Sequence, residues 1–341
     1  MNTSVTAEAN TAPSLALAKP DIKPLLLIPA IALAALPLVG SGSTWMTLTL
    51  AGLAMGMVIF IIASGLTLIF GLMDVMNFAH GAFIASGAFI ASMMVAPLLS
   101  WSESESIGLN IAVLAIAILG AMLVTGILGI IFERVIIRPV YGQHLKQILI
   151  TMGGMIVAEQ LITMIWGAEQ IPFPLPQVLR GSIVLGETLI EKYRLFAVVI
   201  GTVVLLSMLY VLNRTKLGLL IRAGVENPEM VESLGYRIRR LFIAVFAAGS
   251  ALAGLGGVMW CLYKETVSTA MSGELMVTVF IVVIIGGMGS VGGCFISSLL
   301  LALVANYAGF LMPKLALVSH ILLMIMILVW RPAGLYAPGK N

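Results

Sequence analysis

The sequence predicts an all-α fold of the polytopic membrane kind, with about eight to ten transmembrane or broken helices. Three observations carry that expectation. Of 341 residues, 60% are hydrophobic and 10% are charged, where soluble domains carry about 25% charged residues. Mean hydropathy is +1.12, too high to come from one apolar tail. Apolar runs recur along the chain near the length of about 20 residues that a bilayer crossing needs. Strands of an outer-membrane barrel would alternate in polarity over about ten residues, and these runs do not alternate.

Taken in order, residues 1–24 read as a flexible tail rich in Ala, Thr and Ser, with Pro13 and Pro20. No basic residue precedes Lys19, so this stretch does not resemble a secretory signal. Apolar runs follow at about 25–39, 47–70, 79–99, 109–132, 147–166, 195–212, 241–261, 275–286, 293–310 and 315–330. The first is short and holds Pro29 and Pro37, and the run at 275–286 is too short to span alone. Together 25–336 forms one transmembrane domain, with 337–341 as a C-terminal tail.

Loop charges orient the chain. Residues 133–146 carry Arg134, Arg138 and Lys146, and 213–240 carry Arg214, Lys216, Arg222, Arg237, Arg239 and Arg240. The segment 100–108 has Glu103 and Glu105 with no Lys or Arg. Basic loops stay in the cytoplasm, which places 167–194 outside. That segment holds Arg180, Lys192 and Arg194, but its run Pro172-Phe-Pro-Leu-Pro176 marks a structured loop.

Several function classes are excluded. Gly287-Met-Gly-Ser-Val-Gly292 fits a dinucleotide fingerprint, yet no Asp or Glu follows Glu274 to hold a ribose. The ending Gly334-Leu-Tyr-Ala-Pro-Gly-Lys340 mimics a phosphate loop but lacks both the Ser/Thr and the following helix. Three scattered histidines make no metal site, no nucleophile–base pair is evident, and no cofactor is expected. Cys261 and Cys294 lie in apolar sequence and read as small buried hydrophobes. A net charge of +3 is too small to imply nucleic acid.

Two apolar segments are interrupted: Gly71-Leu-Met-Asp-Val-Met-Asn-Phe-Ala-His-Gly81 and Gly286-Gly-Met-Gly-Ser-Val-Gly-Gly293. Similar hexapeptides follow, Gly81-Ala-Phe-Ile-Ala-Ser86 and Gly293-Cys-Phe-Ile-Ser-Ser298. Paired interrupted helices in two halves of a transporter point to its pathway. Gly71, Gly81, Gly287, Gly289 and Gly292 are read as helix-break glycines, serving close packing or an unwound turn. Ionisable groups inside apolar sequence are costly and face a cavity or a partner. Asp74, Asn77 and His80 cluster at the first break, close to one face if that stretch is helical. They are read as lining a path, as a cap that holds the helix break open, or as meeting water at the inner interface, and Glu159, with Gln160 and Thr163, as a helix partner or a path residue.

The basic loop carries its own signal. Asn227 suits an N-cap and Pro228 the first helical position. Glu229 and Glu232 suit the first turn, and Gly235 the C-terminal cap. The result is a short cytoplasmic helix exposing Met230 and Leu234, fit for a soluble partner's groove or for lipid headgroups.

These stretches together resemble a known family. Gly65-Leu-Thr-Leu-Ile-Phe-Gly71 with Asn77-Phe-Ala-His-Gly81 resembles the signature of H-type permeases in branched-chain amino acid ABC importers. The loop with Gly235, then Ala247-Ala-Gly-Ser-Ala-Leu-Ala-Gly254, Ile285 to Gly293 and Trp330-Arg-Pro-Ala-Gly-Leu335 continue the pattern in order, over roughly 45–336. The resemblance implies a type II importer permease in the bacterial inner membrane, working by alternating access. It implies a second homologous permease subunit, two cytoplasmic ATPase subunits and a periplasmic substrate-binding protein as partners, besides membrane lipid. ATP hydrolysis then belongs to the separate subunits, and the chain is no enzyme. The coupling role falls on Glu226 to Tyr236, including Pro228, Met230, Leu234 and Gly235. The acidic Asp74 departs from many relatives, and relatives also carry urea, short amides and aromatic or other carboxylates. The rival class is a self-sufficient secondary transporter with Asp74 or Glu159 as proton carrier.

Overall fold

A computed structural model of the chain describes residues 23–226 and 228–336. It is helical nearly throughout. The long elements are α1 (Leu27–Val39), α2 (Gly42–Met73), α3 (His80–Val95), α4 (Ile107–Phe132), α5 (His144–Trp166) and α6 (Lys192–Arg214). Two short helices, α7 (Lys216–Glu226) and α8 (Pro228–Ser233), precede α9 (Ile238–Lys264), α10 (Met271–Gly286), α11 (Val291–Leu311) and α12 (Pro313–Trp330). Among the described residues seven helices are long and apolar enough to cross a membrane, and three shorter apolar helices accompany them. The chain is therefore a multi-pass membrane protein.

Burial sorts the helices into a centre and a rim. α2 is buried around its full circumference from Val58 to Thr67, and α9 from Ala253 to Met259. A helix apolar on all sides belongs inside a bundle. α2 packs along α11 and α9, and α9 in turn packs along α3 and α4. By contrast α5 buries little of its surface, and its exposed residues Leu149, Ile156 and Met164 are apolar, as suits a helix meeting hydrocarbon. Lipid tails are as apolar as leucine, so helices associate through close packing and small residues. Gly65 of α2 faces the Gly249 backbone of α9, and Gly87 of α3 faces Gly254. Side chains there would hold the helices apart.

The two basic segments gather at one end of α9. The segment 213–240 runs into its N-terminus. Tyr141, from the other basic segment, sets its ring 5.8 Å from Phe242 on the first turns of α9. At the opposite end of α9 lie four short strands that the sequence reading treats only as loop. β1 (Ile171–Pro172) pairs antiparallel with β4 (Thr266–Val267), and β2 (Ser182–Leu185) with β3 (Thr188–Glu191). The second pair is a hairpin over Gly186-Glu187, with Gly186 at φ 64° as a two-residue turn requires. The apolar Ile183-Val-Leu185 before Gly186 was its sequence signal.

Candidate translocation and coupling sites

Both interruptions form breaks, each shorter than the motif that marked it. α2 runs on to Met73 and ends on Asp74, which adopts a left-handed conformation at φ 51° and donates its N–H to the Phe70 carbonyl. Residues 74–79 lie outside helices. Asp74, Asn77 and His80 therefore do not share a helical face, and the i+3 geometry expected of a continuous helix does not apply. Asp74 is exposed, with a carboxylate oxygen 3.6 Å from His144 Nε2 at the start of α5. Asn77 and His80 are fully buried. His80 opens α3 and donates through Nε2 to the Ile62 carbonyl at 3.1 Å, while Asn77 accepts from the Ala79 N–H at 3.1 Å. The other polar atoms of these two side chains, Nδ1 of His80 and Nδ2 of Asn77, are buried without a partner among the described residues. So is the hydroxyl of Ser272, whose carbonyl lies 2.5 Å from where a Cβ on Gly81 would stand. The first turns of α3 and α10 thus meet backbone to backbone. Thr151 of α5 joins them, accepting from the Phe78 N–H at 3.2 Å.

The second break spans only residues 287–290, between α10 and α11. Ser290 caps α11 by accepting from the Gly293 N–H at 3.1 Å. Gly287 and Gly289 have φ of 93° and 87°, which a side chain would strain. A Cβ on Gly71 would stand 2.6 Å from Gly289 Cα, so the two breaks touch through glycine. Gly292 has open space around it, and neither contact nor backbone demands glycine there. The C-terminal segment completes this end. Leu335 and Tyr336 donate their N–H groups to the carbonyls of Ile285 and Gly286 at 2.8 and 3.1 Å. The last carbonyls of α10, orphaned by the break, are thereby satisfied.

Glu159 lies further along α5 than Thr151. It is half-buried on α5 and lines a cleft of about 280 Å³ with Gln160, Thr163, Thr269, Ala270 and Gly273. One buried acid escaped the sequence reading. Glu133, fully buried where α4 passes into a π turn, accepts from the Tyr141 hydroxyl at 2.6 Å. Burial, and then the Glu133 carboxyl, push the Tyr141 phenol well above its ordinary pKa. Its only sequence signal was an acid among the bases of 133–146.

The basic segment contains two helices where one was expected: α7 packs against α6 and α8, and α8 also touches α9. Asn227, read as the N-cap, lies outside the described residues, as do the side chains of Glu226 and Pro228. α8 ends in a Schellman motif, in which Tyr236 donates to the Val231 carbonyl at 3.3 Å and Gly235 to Glu232 at 2.9 Å. Gly235 has φ 87° with open space around it. Val231 is buried beneath the helix, while Met230 and Leu234 are 60% and 66% exposed on its outer side. Beside them a cavity of about 460 Å³ opens between Leu217, Leu220, Val231, Ile238 and Leu241.

A bundle of apolar helices with two breaks that touch, and a capped helix in its basic segment, defines a membrane permease. The chain belongs to the family described as branched-chain amino acid transport system / permease component, whose model matches residues 48–330. It is 27% identical over 290 residues to the high-affinity branched-chain amino acid transport permease BraD of Pseudomonas aeruginosa, covering 83% of this chain and 93% of that one. It is 26% identical over 291 residues to the permease LivH of Escherichia coli, covering 83% and 92%. A probable LivH of Methanocaldococcus jannaschii is 23% identical over 248 residues, covering 71% and 74%. No solved structure matches.

Proposed function

We propose that this permease is the transmembrane subunit of an ATP-driven importer that carries branched-chain or related amino acids across the bacterial inner membrane by alternating access. A second homologous permease completes the pore, a periplasmic binding protein delivers substrate, and two cytoplasmic ATPase subunits supply the energy. The path runs beside the first break and α5, with Asp74, Asn77, His80 and Glu159 along it. The substrate class rests on the relatives, whose names all specify branched-chain amino acid transport.

The observation that carries the energy source is α8. A helix of one and a half turns has no stability of its own, yet this one is terminated by a full Schellman motif and turns two large apolar side chains outward. That is the form of a knob that fits a groove in a soluble partner. A secondary transporter has no use for it. Burying a charge without a partner costs several kcal/mol, so Leu234→Asp removes ATPase docking while the permease still inserts. Gly235→Val strains the left-handed turn and uncouples hydrolysis from substrate. If ATPase subunits still co-purify with Leu234→Asp and substrate-stimulated hydrolysis survives, α8 rests on lipid and the proposal fails.

A further inference from the structure

At the end of α9 opposite the basic segments, the first turns of α10 and the outer half of α5 enclose polar space. Beside the cleft of Glu159 lies a second cavity of about 210 Å³, lined by Gln170, Trp260, Lys264, Ser268, Met271 and Glu274. Ala270 borders both, so the two cavities are neighbours on either side of the 268–271 turn. Together they are of the small size that suits a single compact ligand.

Lys264 and Glu274 are exposed at this cleft, and Glu159 is half-buried. Among the described residues, Lys264, Glu274 and Glu159 form no ion pair, although nearby Arg194 is held by Glu191 at 2.9 Å. The Lys264 ammonium sits 5.4 Å from the Trp260 ring centre and 5.6 Å from that of Tyr263. Two aromatic faces thus hold the cation in place and leave its hydrogen-bond donors available. Trp260 and Met271 give the same cavity an apolar wall. A cation, a carboxylate and an apolar wall together match a zwitterion with an apolar side chain: carboxylate toward Lys264, ammonium toward Glu274 and, further along, Glu159.

We infer that this cleft is the entry site of the permease, holding the α-carboxylate of the incoming amino acid on Lys264 and its α-ammonium on Glu274 before passage past Glu159. The inference rests on the proposed amino acid substrate. Its order follows from position: Lys264 closes α9 next to the β1–β4 ribbon, and Glu159 lies within the apolar length of α5.

The test uses the complete importer in proteoliposomes with its binding protein, measuring ATP-driven uptake of radiolabelled leucine. Losing a hydrogen-bonded charge pair lowers uptake about tenfold in Lys264→Met and in Glu274→Gln. Lys264→Arg keeps the charge and restores most of the uptake, and both deficient variants still capture the loaded binding protein. Wild-type uptake in Lys264→Met and Glu274→Gln would overturn the inference. So would loss of binding-protein capture in Lys264→Met, which makes the rim a docking surface, and so would failure of Lys264→Arg to restore uptake. If the substrate class itself is wrong, the unaltered importer imports no leucine, a failure visible before any variant is compared.

Discussion

Asp74 combines two demands at one residue. It stops α2 in a left-handed conformation, which costs a side-chain-bearing residue about 1–2 kcal/mol but is easiest for Asn and Asp. It also presents a carboxylate to His144, tying the first break to the start of α5. Asp74→Asn separates the demands, because it keeps the backbone and removes the charge. Transport should fall about tenfold if that charge serves the path, while the complex assembles as before. Wild-type uptake by Asp74→Asn would remove Asp74 from the path. The sequence showed the cluster of Asp74, Asn77 and His80 but not its geometry. Nothing local says that the helix stops at 73, sending Asn77 and His80 into the core and leaving Asp74 exposed. Gly235 was fully legible, since a helix opened by Pro228 and ended before Gly235 requires the positive φ that the structure has.

Among the elements, the long apolar helices were readable because hydrocarbon length and backbone hydrogen bonding leave the chain little choice. The β2–β3 hairpin and α7 were less so: their signals are short, and the pattern around them is mixed. The role of the C-terminal segment was invisible in sequence, because it lies in hydrogen bonds to carbonyls some fifty residues earlier. Trp330-Arg-Pro-Ala-Gly-Leu335 caps α10, and Arg331 fixes that turn by donating to the Leu335 carbonyl at 3.0 Å. Gly334 is confined there by Gly287, whose Cα would stand 2.7 Å from a Cβ. A chain ending at Trp330 leaves the Ile285 and Gly286 carbonyls without these donors, at about 1–3 kcal/mol each where water cannot replace them. We expect such a chain to insert but to lose its thermal stability in detergent. An unchanged melting profile would show that the cap contributes nothing.

For the whole molecule, the geometry places both basic segments at one end of α9 and the ribbon and hairpin at the other. The charge bias assigns the basic end to the cytoplasm. A cysteine at Ser182, in the hairpin, should therefore react with a membrane-impermeant maleimide in intact cells, while one at Lys216 should react only after permeabilisation. The native Cys261 and Cys294 are buried and give little background. The reverse pattern of labelling would invert the importer.

The central claim is that the chain moves substrate with energy supplied from outside itself. Purifying it from its native membranes by an affinity tag, then assaying the product in proteoliposomes, tests that most directly. The account predicts that ATPase subunits and a second permease come with it, and that uptake requires ATP. Purification of the chain alone, with substrate accumulation driven by a proton gradient and unaffected by ATP, would contradict it.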